Sequence, residues 1–268
     1  MNELALFAGA GGGILGGHLL GWRTVCAVEW EPYPASVLCA RQNDGLLPSF
    51  PIWDDVQTFD GKPWRGIVDV VSGGFPCQDI SIAGKGDGLD GERSGMWKHM
   101  ARVVGEVRPR YVFVENSPML VTRGLDRVLG DLAALGYDTK WTVMGAADVG
   151  APHRRERLWL VAHAHGVRKL QPQRIEQDER RRIGDGGDEK DVSDAMRLRL
   201  EGIIEAGAAQ RAIDRSNYGS DPGWWRSEPD VGRVADGVAA RVDRLKAIGN
   251  GQVPLCAATA WQYLTSKN

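Results

Sequence analysis

The chain has 268 residues, 43% of them hydrophobic and 25% charged, with a formal net charge of −2. That length and apolar fraction suit one substantial α/β domain with room for an insert, and the near-neutral charge excludes a whole-chain basic footprint, so any nucleic-acid surface has to be local. No apolar run approaches the ~18 residues of a membrane span, the first residues lack the basic flank and apolar core of a secretory signal, and Cys26, Cys39, Cys77 and Cys256 are scattered without metal-like spacing; reduced thiols, no metal site and a cytoplasmic location are expected.

In chain order, residues 4–8 and 24–29 read as strands, and a helical pattern follows around 35–42. Residues 67–72 form a β-branched apolar run, as do 111–115, and both read as buried strands. Between them 95–107 has helical spacing, and Pro109 marks its end. A further helix is expected over 125–135, with later strands over 140–144 and 158–162. This alternation predicts a mostly parallel sheet covered by helices, a doubly wound, Rossmann-like α/β fold. After about His165 the texture changes: residues 166–215 carry equal numbers of acidic and basic side chains, few aromatics and weak periodicity, which fits a solvated or partly disordered insert. Order returns near Trp224, and a final helix is expected to run to about Leu264. The expected organisation is a catalytic and cofactor-binding domain over 1–163, a small variable insert over 164–230, and a C-terminal element over 231–268 that returns to the first domain.

In such sheets ligands gather at the carboxyl ends of the strands, and the chemistry-bearing residues fall there. Phe7-Ala8-Gly9-Ala10-Gly11-Gly12 follows the first strand, and Gly11, Gly13 and Gly16 match a dinucleotide spacing. Glu29, ending the second strand, suits ribose hydroxyls. Taken alone this loop indicates a nucleoside-like cofactor or simply a tight strand–helix turn. Gly74-Phe75-Pro76-Cys77-Gln78 leaves a buried strand and would expose a thiol to a cleft. Thiolate addition to C6 of cytosine makes C5 nucleophilic enough to attack an electrophilic methyl group; the plainer reading of a lone Cys is an inert buried side chain. Glu115-Asn116 leaves the next buried strand, where a desolvated, partly protonated carboxyl could hold the N3 edge of the base, or merely cap a helix. Arg155-Glu156-Arg157 opens a later strand, and alternation would put Arg155 and Arg157 on one face, able to hold the base O2 and a phosphate, to orient Glu115, or to form an edge-strand ion-pair ladder.

In this order and spacing these segments resemble the DNA cytosine-5 methyltransferase family, over roughly residues 3–163 and 230–264. The resemblance implies an enzyme that uses S-adenosylmethionine to methylate C5 of cytosine in double-stranded DNA, on a base flipped out of the stack. It implies Cys77, Glu115, Asn116, Arg155 and Arg157 as catalytic residues. It implies Phe7, Ala8, Gly9, Gly11, Gly12, Glu29, Trp30, Asp55, Pro76 and Asn250 as cofactor contacts, with Asn250 in the segment Gly249-Asn250-Gly251-Gln252-Val253-Pro254 returning beside the first loop. The sequence departs from the family pattern at Ala5, where an acidic residue is frequent, and in Glu-Asn-Ser and Gly-Asn-Gly, where Glu-Asn-Val and Gly-Asn-Ser are usual. The variable segment is expected to read DNA, and a restriction endonuclease is a candidate counterpart. A tRNA cytosine-5 methyltransferase is the alternative within the family. A nicotinamide-dependent oxidoreductase is the alternative outside it, resting on the glycine spacing, and a non-catalytic DNA-binding relative is a third reading, against which the intact Cys77 stands.

Overall fold

A computed structural model describes residues 1–76, 95–165 and 241–266. In these residues a seven-stranded sheet runs in the order β3-β2-β1-β4-β5-β7-β6. The strands are β1 (Asn2–Leu6), β2 (Arg23–Val28), β3 (Ile52–Trp53), β4 (Val70–Gly73), β5 (Tyr111–Asn116), β6 (Tyr137–Met144) and β7 (Arg157–Ala164). The pairs from β3 to β5 are parallel, and only β7 runs against its neighbours β5 and β6. The expected mostly parallel, doubly wound architecture is present. Strand order reverses between β1 and β4, which leaves a crevice outside their carboxyl ends, the usual ligand position in such sheets.

Alternate residues of the central strands pack on opposite faces, as pleating requires. Leu4, Leu6, Val71, Val112, Val114, Leu158 and Leu160 join one core with α3 (Met96–Val107) and α5 (Leu125–Ala134). The short α4 (Leu120–Arg123) connects β5 to α5. On the other face, Ala5 and Ala27 pack with Leu38 of α2 (Pro32–Asn43). Val70, Phe113, Trp159 and Val161 pack with Cys256, Ala260, Trp261 and Leu264 of the C-terminal helix α7 (Pro254–Thr265). Chain from beyond the variable segment therefore completes the core of the first domain. The predicted insert over 164–230 lies outside the described residues except for Ala164 and His165.

Helix α1 (Gly12–Leu19) has glycine at Gly12, Gly13, Gly16 and Gly17. Glycine weakens a helix by roughly 1 kcal/mol per residue against alanine, so packing has to compensate. A Cβ at Gly16 would lie 2.7 Å from Cβ of Ala257, and one at Gly17 would lie 2.9 Å from the Trp22 ring. The missing side chains let α1 lie directly on α7 and on the sheet, which places the N-terminus of α1 at the crevice.

Beneath the crevice, the carboxyl group of Glu3 is 1% exposed. It accepts hydrogen bonds from Thr24 Oγ1 at 2.7 Å and Ser72 Oγ at 2.6 Å. Burial raises its pKa from 4.5 to about 7, against the opposing effect of both hydroxyls. In the unfolded chain the group ionises near 4.5, so between that pH and about 7 the folded chain holds the extra proton. Stability therefore falls as pH rises through this window and stays reduced above it. Glu3→Gln removes that cost. At pH 8 chemical unfolding should find the variant more stable by up to about 3 kcal/mol, with the difference gone below about pH 4.5; an unchanged difference across this range would contradict a buried, late-titrating carboxyl.

Candidate active site

The loop after β1 leaves the sheet abruptly. Phe7 has φ of +52°, Gly9 +56° and Gly11 +90°, so the strand ends at Leu6, two residues earlier than its apolar run suggests. A non-glycine residue at positive φ costs of order 1–3 kcal/mol and is held by its surroundings. The loop is tied to β2 by Ala8 N–H donating to the Val28 carbonyl at 3.1 Å and by Gly9 N–H donating to Glu29 Oε2 at 2.6 Å. The other oxygen of Glu29 accepts from Glu31 N–H at 2.8 Å. Burial raises the pKa of Glu29, opposed by these two backbone donors. Around the predicted glycines the surroundings differ. At Gly9 a Cβ would meet nothing within 4 Å, at Gly11 it would meet Leu38, and at Gly12 the backbone of Gln252. Gly9 opens toward the crevice, whereas Gly11 and Gly12 are glycines because protein packs against them.

Trp30 and Asp55 follow neighbouring strands, since Val28 pairs with Trp53 and Glu29 N–H donates to the Trp53 carbonyl at 2.9 Å. Trp30 is 69% exposed at this end of the sheet. Asp55 Oδ1 accepts from Gln57 N–H at 2.8 Å, shaping the turn. Arg102 of α3 holds the same turn, donating to the carbonyls of Val56 at 2.7 Å and Phe59 at 2.9 Å.

The loop after β4 is anchored just before the predicted nucleophile. Phe75 is buried against Trp97, with ring centroids 5.4 Å apart. Its carbonyl accepts from Asn116 Nδ2 at 3.1 Å, while Asn116 Oδ1 accepts from Ser117 N–H at 2.8 Å. Asn116 thus joins the exits of β4 and β5 and acts on the loop through its backbone. Pro76 is the last described residue of this loop; Cys77 lies outside the described residues.

Glu115 sits at the exit of β5, its side chain 11% exposed, with Oε1 2.9 Å from Arg157 Nε. Burial raises its pKa to about 7, opposed by the charges of Arg157 and Arg155 and by hydrogen bonds from Gln252 and Arg157. A carboxyl group of this kind is substantially protonated near neutrality and can donate to a ring nitrogen. The structure brings Glu115 and Arg157 together as expected but gives the two arginines different partners, although the charge of each acts on Glu115. Arg155 precedes β7 with φ of +40°, outside extended geometry, so strand alternation does not govern it. Its Nη2 lies 2.9, 2.7 and 2.5 Å from the carbonyl oxygens of Ile248, Gly249 and Gly251. Two N–H bonds shared among three carbonyls clamp the end of α6 (Arg241–Asn250), where a cation also opposes the helix dipole.

Asn250 lies in this clamped segment and lines one crevice with Phe7, Gly9, Gly74, Glu115 and Gln252. The predicted cofactor loop, Glu115 and the C-terminal element therefore share a cavity. Sequence reasoning placed Gln252 in the C-terminal element without a role; its contact with Glu115 depends on three distant loops meeting, and its only sequence signal is its place beside Asn250.

Residues 1–216 match the family model described as C-5 cytosine-specific DNA methylase. The chain belongs to this family. Similar proteins include the type II methyltransferase M2.BsuMI of Bacillus subtilis (strain 168), 32% identical over 170 residues, covering 60% of this chain and 42% of that protein. Another is the type II methyltransferase M.NgoBI of Neisseria gonorrhoeae, 32% identical over 180 residues, covering 66% of this chain and 55% of that protein. The chain thus spans only about half the length of these relatives. Among solved structures, the Entamoeba histolytica methyltransferase EhMeth shares the fold, with a TM-score of 0.52 and 16% identity over 61% of this chain and 52% of that one. A Spodoptera frugiperda DNMT2 variant does so with a TM-score of 0.51 and 19% identity over 65% and 53% of the two chains. Membership of this family displaces the nicotinamide-dependent reading. No helix among the described residues is long and apolar enough to cross a membrane.

Proposed function

We propose that this chain transfers a methyl group from S-adenosylmethionine to C5 of cytosine in double-stranded DNA. The observation that carries the reading is the convergence, within one crevice of a C-5 cytosine-specific DNA methylase family member, of the Gly9 loop and a buried Glu115 paired with Arg157. The residues suit the cofactor: Gly9 leaves open space where a side chain would stand, Glu29 keeps spare lone pairs for ribose hydroxyls, and exposed Trp30 offers a ring face to adenine. Phe7, Ala8, Gly9, Glu29, Trp30, Asp55, Pro76 and Asn250 would hold it, with Gly11 and Gly12 letting the loop pack against Leu38 and Gln252. When bound, the cofactor supplies an electrophilic methyl group.

The chain's own residues supply the rest. Cys77 adds as thiolate to C6 of a flipped-out cytosine, Glu115 donates its proton to N3, and Arg157 fixes the Glu115 carboxyl and faces the base O2. The electron pair delivered through C6 makes C5 nucleophilic toward the methyl group that the bound cofactor would supply, which would leave the cofactor's sulfur as a neutral thioether. Loss of the C5 proton to water expels Cys77 as thiolate, and N3 returns its proton to Glu115. Asn116 keeps the nucleophile loop in place, and Arg155 clamps the C-terminal element. The segment over 164–230 reads the DNA, and a restriction endonuclease of matching specificity is the counterpart.

Labelled methyl transfer tests this directly. With S-adenosylmethionine labelled in its methyl group, label is expected in duplex DNA as 5-methylcytosine. Label in tRNA and none in DNA would overturn the choice of substrate in favour of the tRNA reading.

A further inference from the structure

The contacts of Gln252 go beyond packing. A Cβ at Gly12 would clash with its backbone carbonyl, and one at Gly13 would clash with its side-chain Oε1. Its Nε2 is 3.1 Å from the Cβ position of Gly74, and Glu115 Oε2 is 2.5 Å from that same point. Two glycines from the first turn of α1 and one from the loop after β4 thus form a slot that any side chain would close, and Gln252 fills it. At the far end the amide donates to the Glu115 side chain. The backbone on either side is fixed, because Arg155 holds the carbonyls of Ile248, Gly249 and Gly251, and α7 begins at Pro254.

We propose that Gln252 is a positioning residue that locks the Glu115 carboxyl to the cofactor loop, so that the C-terminal element sets the orientation and proton affinity of the base-holding acid. The inference rests on the methyltransferase reading for its catalytic meaning, but not for its structural content. An amide has a donor end and an acceptor end. Here the acceptor end rests against the first turn of α1, and the donor end satisfies a carboxyl group whose other oxygen is engaged by Arg157. The charged groups acting on Glu115 are Arg157 and Arg155, both from the chain leading into β7. The loop after β4 brings Gly74 and Phe75, and the loop after β1 brings glycine. Gln252 is therefore the neutral donor from the C-terminal side, and losing it disfavours the carboxylate.

The test measures the Glu115 carboxyl itself. Infrared difference spectra against Glu115→Gln, recorded on the full chain without DNA, give its titration midpoint. In Gln252→Met, which keeps length and bulk but has no donor, the midpoint should rise by about one pH unit, as expected for loss of one hydrogen bond to a charged group. In Gln252→Glu, which has the shape of the native residue, a neighbouring carboxylate should raise it further. A midpoint unchanged in both variants overturns the proposal. If Gln252→Met does not fold, Gln252→Glu decides alone. Where wild type methylates DNA, the alkaline limb of the rate profile should move with the midpoint, and a lower rate on an unmoved profile would mark Gln252 as merely structural and overturn the proposal. If the Gln252 variants show the midpoint shift but wild type methylates no DNA, this coupling stands and the substrate assignment is removed instead.

Discussion

A Cys77→Ala variant is expected to transfer no methyl groups and to form no covalent complex with DNA, while still binding S-adenosylmethionine. The mechanism gives the thiol a bond to C6 of the base and no role toward the cofactor, whose proposed contacts lie on the loops after β1, β2 and β3, at Pro76 and at Asn250. Duplex DNA carrying 5-fluorocytosine at the target position makes the bond visible. Addition and methyl transfer proceed, but C5 has no proton to lose, so the enzyme stays joined to DNA. Mass spectrometry of the complex should place DNA on the Cys77 peptide. The other thiols are poor competitors for physical reasons. Cys26 and Cys256 are buried, and burial pushes both thiols up to about 11, where almost no thiolate exists at neutral pH. Cys39 is exposed but lies on α2, away from the exits of β4 and β5. An adduct on any of these three, or undiminished methylation by Cys77→Ala, would disprove the assignment.

The parts of this site readable from sequence are those set by single strands. Runs such as 111–115 are largely apolar on both faces because helices cover both, and each run delivers its last residue to the carboxyl edge; this logic brings Glu29 and Glu115 to the crevice. Strand β3 has two residues, too short for any period. Helix α1 is hidden by its glycines, whose purpose appears only once Ala257 and Trp22 pack against them. Arg155 and Arg157 looked equivalent because alternation assumes extended backbone, and the positive φ of Arg155 removes that premise. Gln252 was unreadable as a partner of Glu115, since nothing local to residues 249–254 indicates that Gly12, Gly13 and Gly74 converge on it.

Glu115→Gln is expected to slow methyl transfer by roughly 10²–10⁴-fold, the range for loss of a positioned general acid. The amide keeps the shape and can still hydrogen-bond N3, so binding of target DNA should change little. What is lost is the proton. The sign of the pH dependence follows from the raised pKa. A carboxyl group that titrates at about 7 is protonated below that value and loses its proton as pH rises. Acid-dependent turnover in wild type should therefore fall about tenfold per pH unit above this midpoint, while thiolate formation rises with pH in the opposite sense. Their product is a bell whose falling limb belongs to Glu115. In Glu115→Gln that limb should vanish, and the residual rate should keep rising with pH. Arg157→Ala should act the other way, because removing the nearest cation leaves Glu115 harder to ionise and moves the falling limb to higher pH. Single-turnover rates across pH 5.5–9.5 separate these outcomes. A falling limb retained in Glu115→Gln would show that another group supplies the proton at N3.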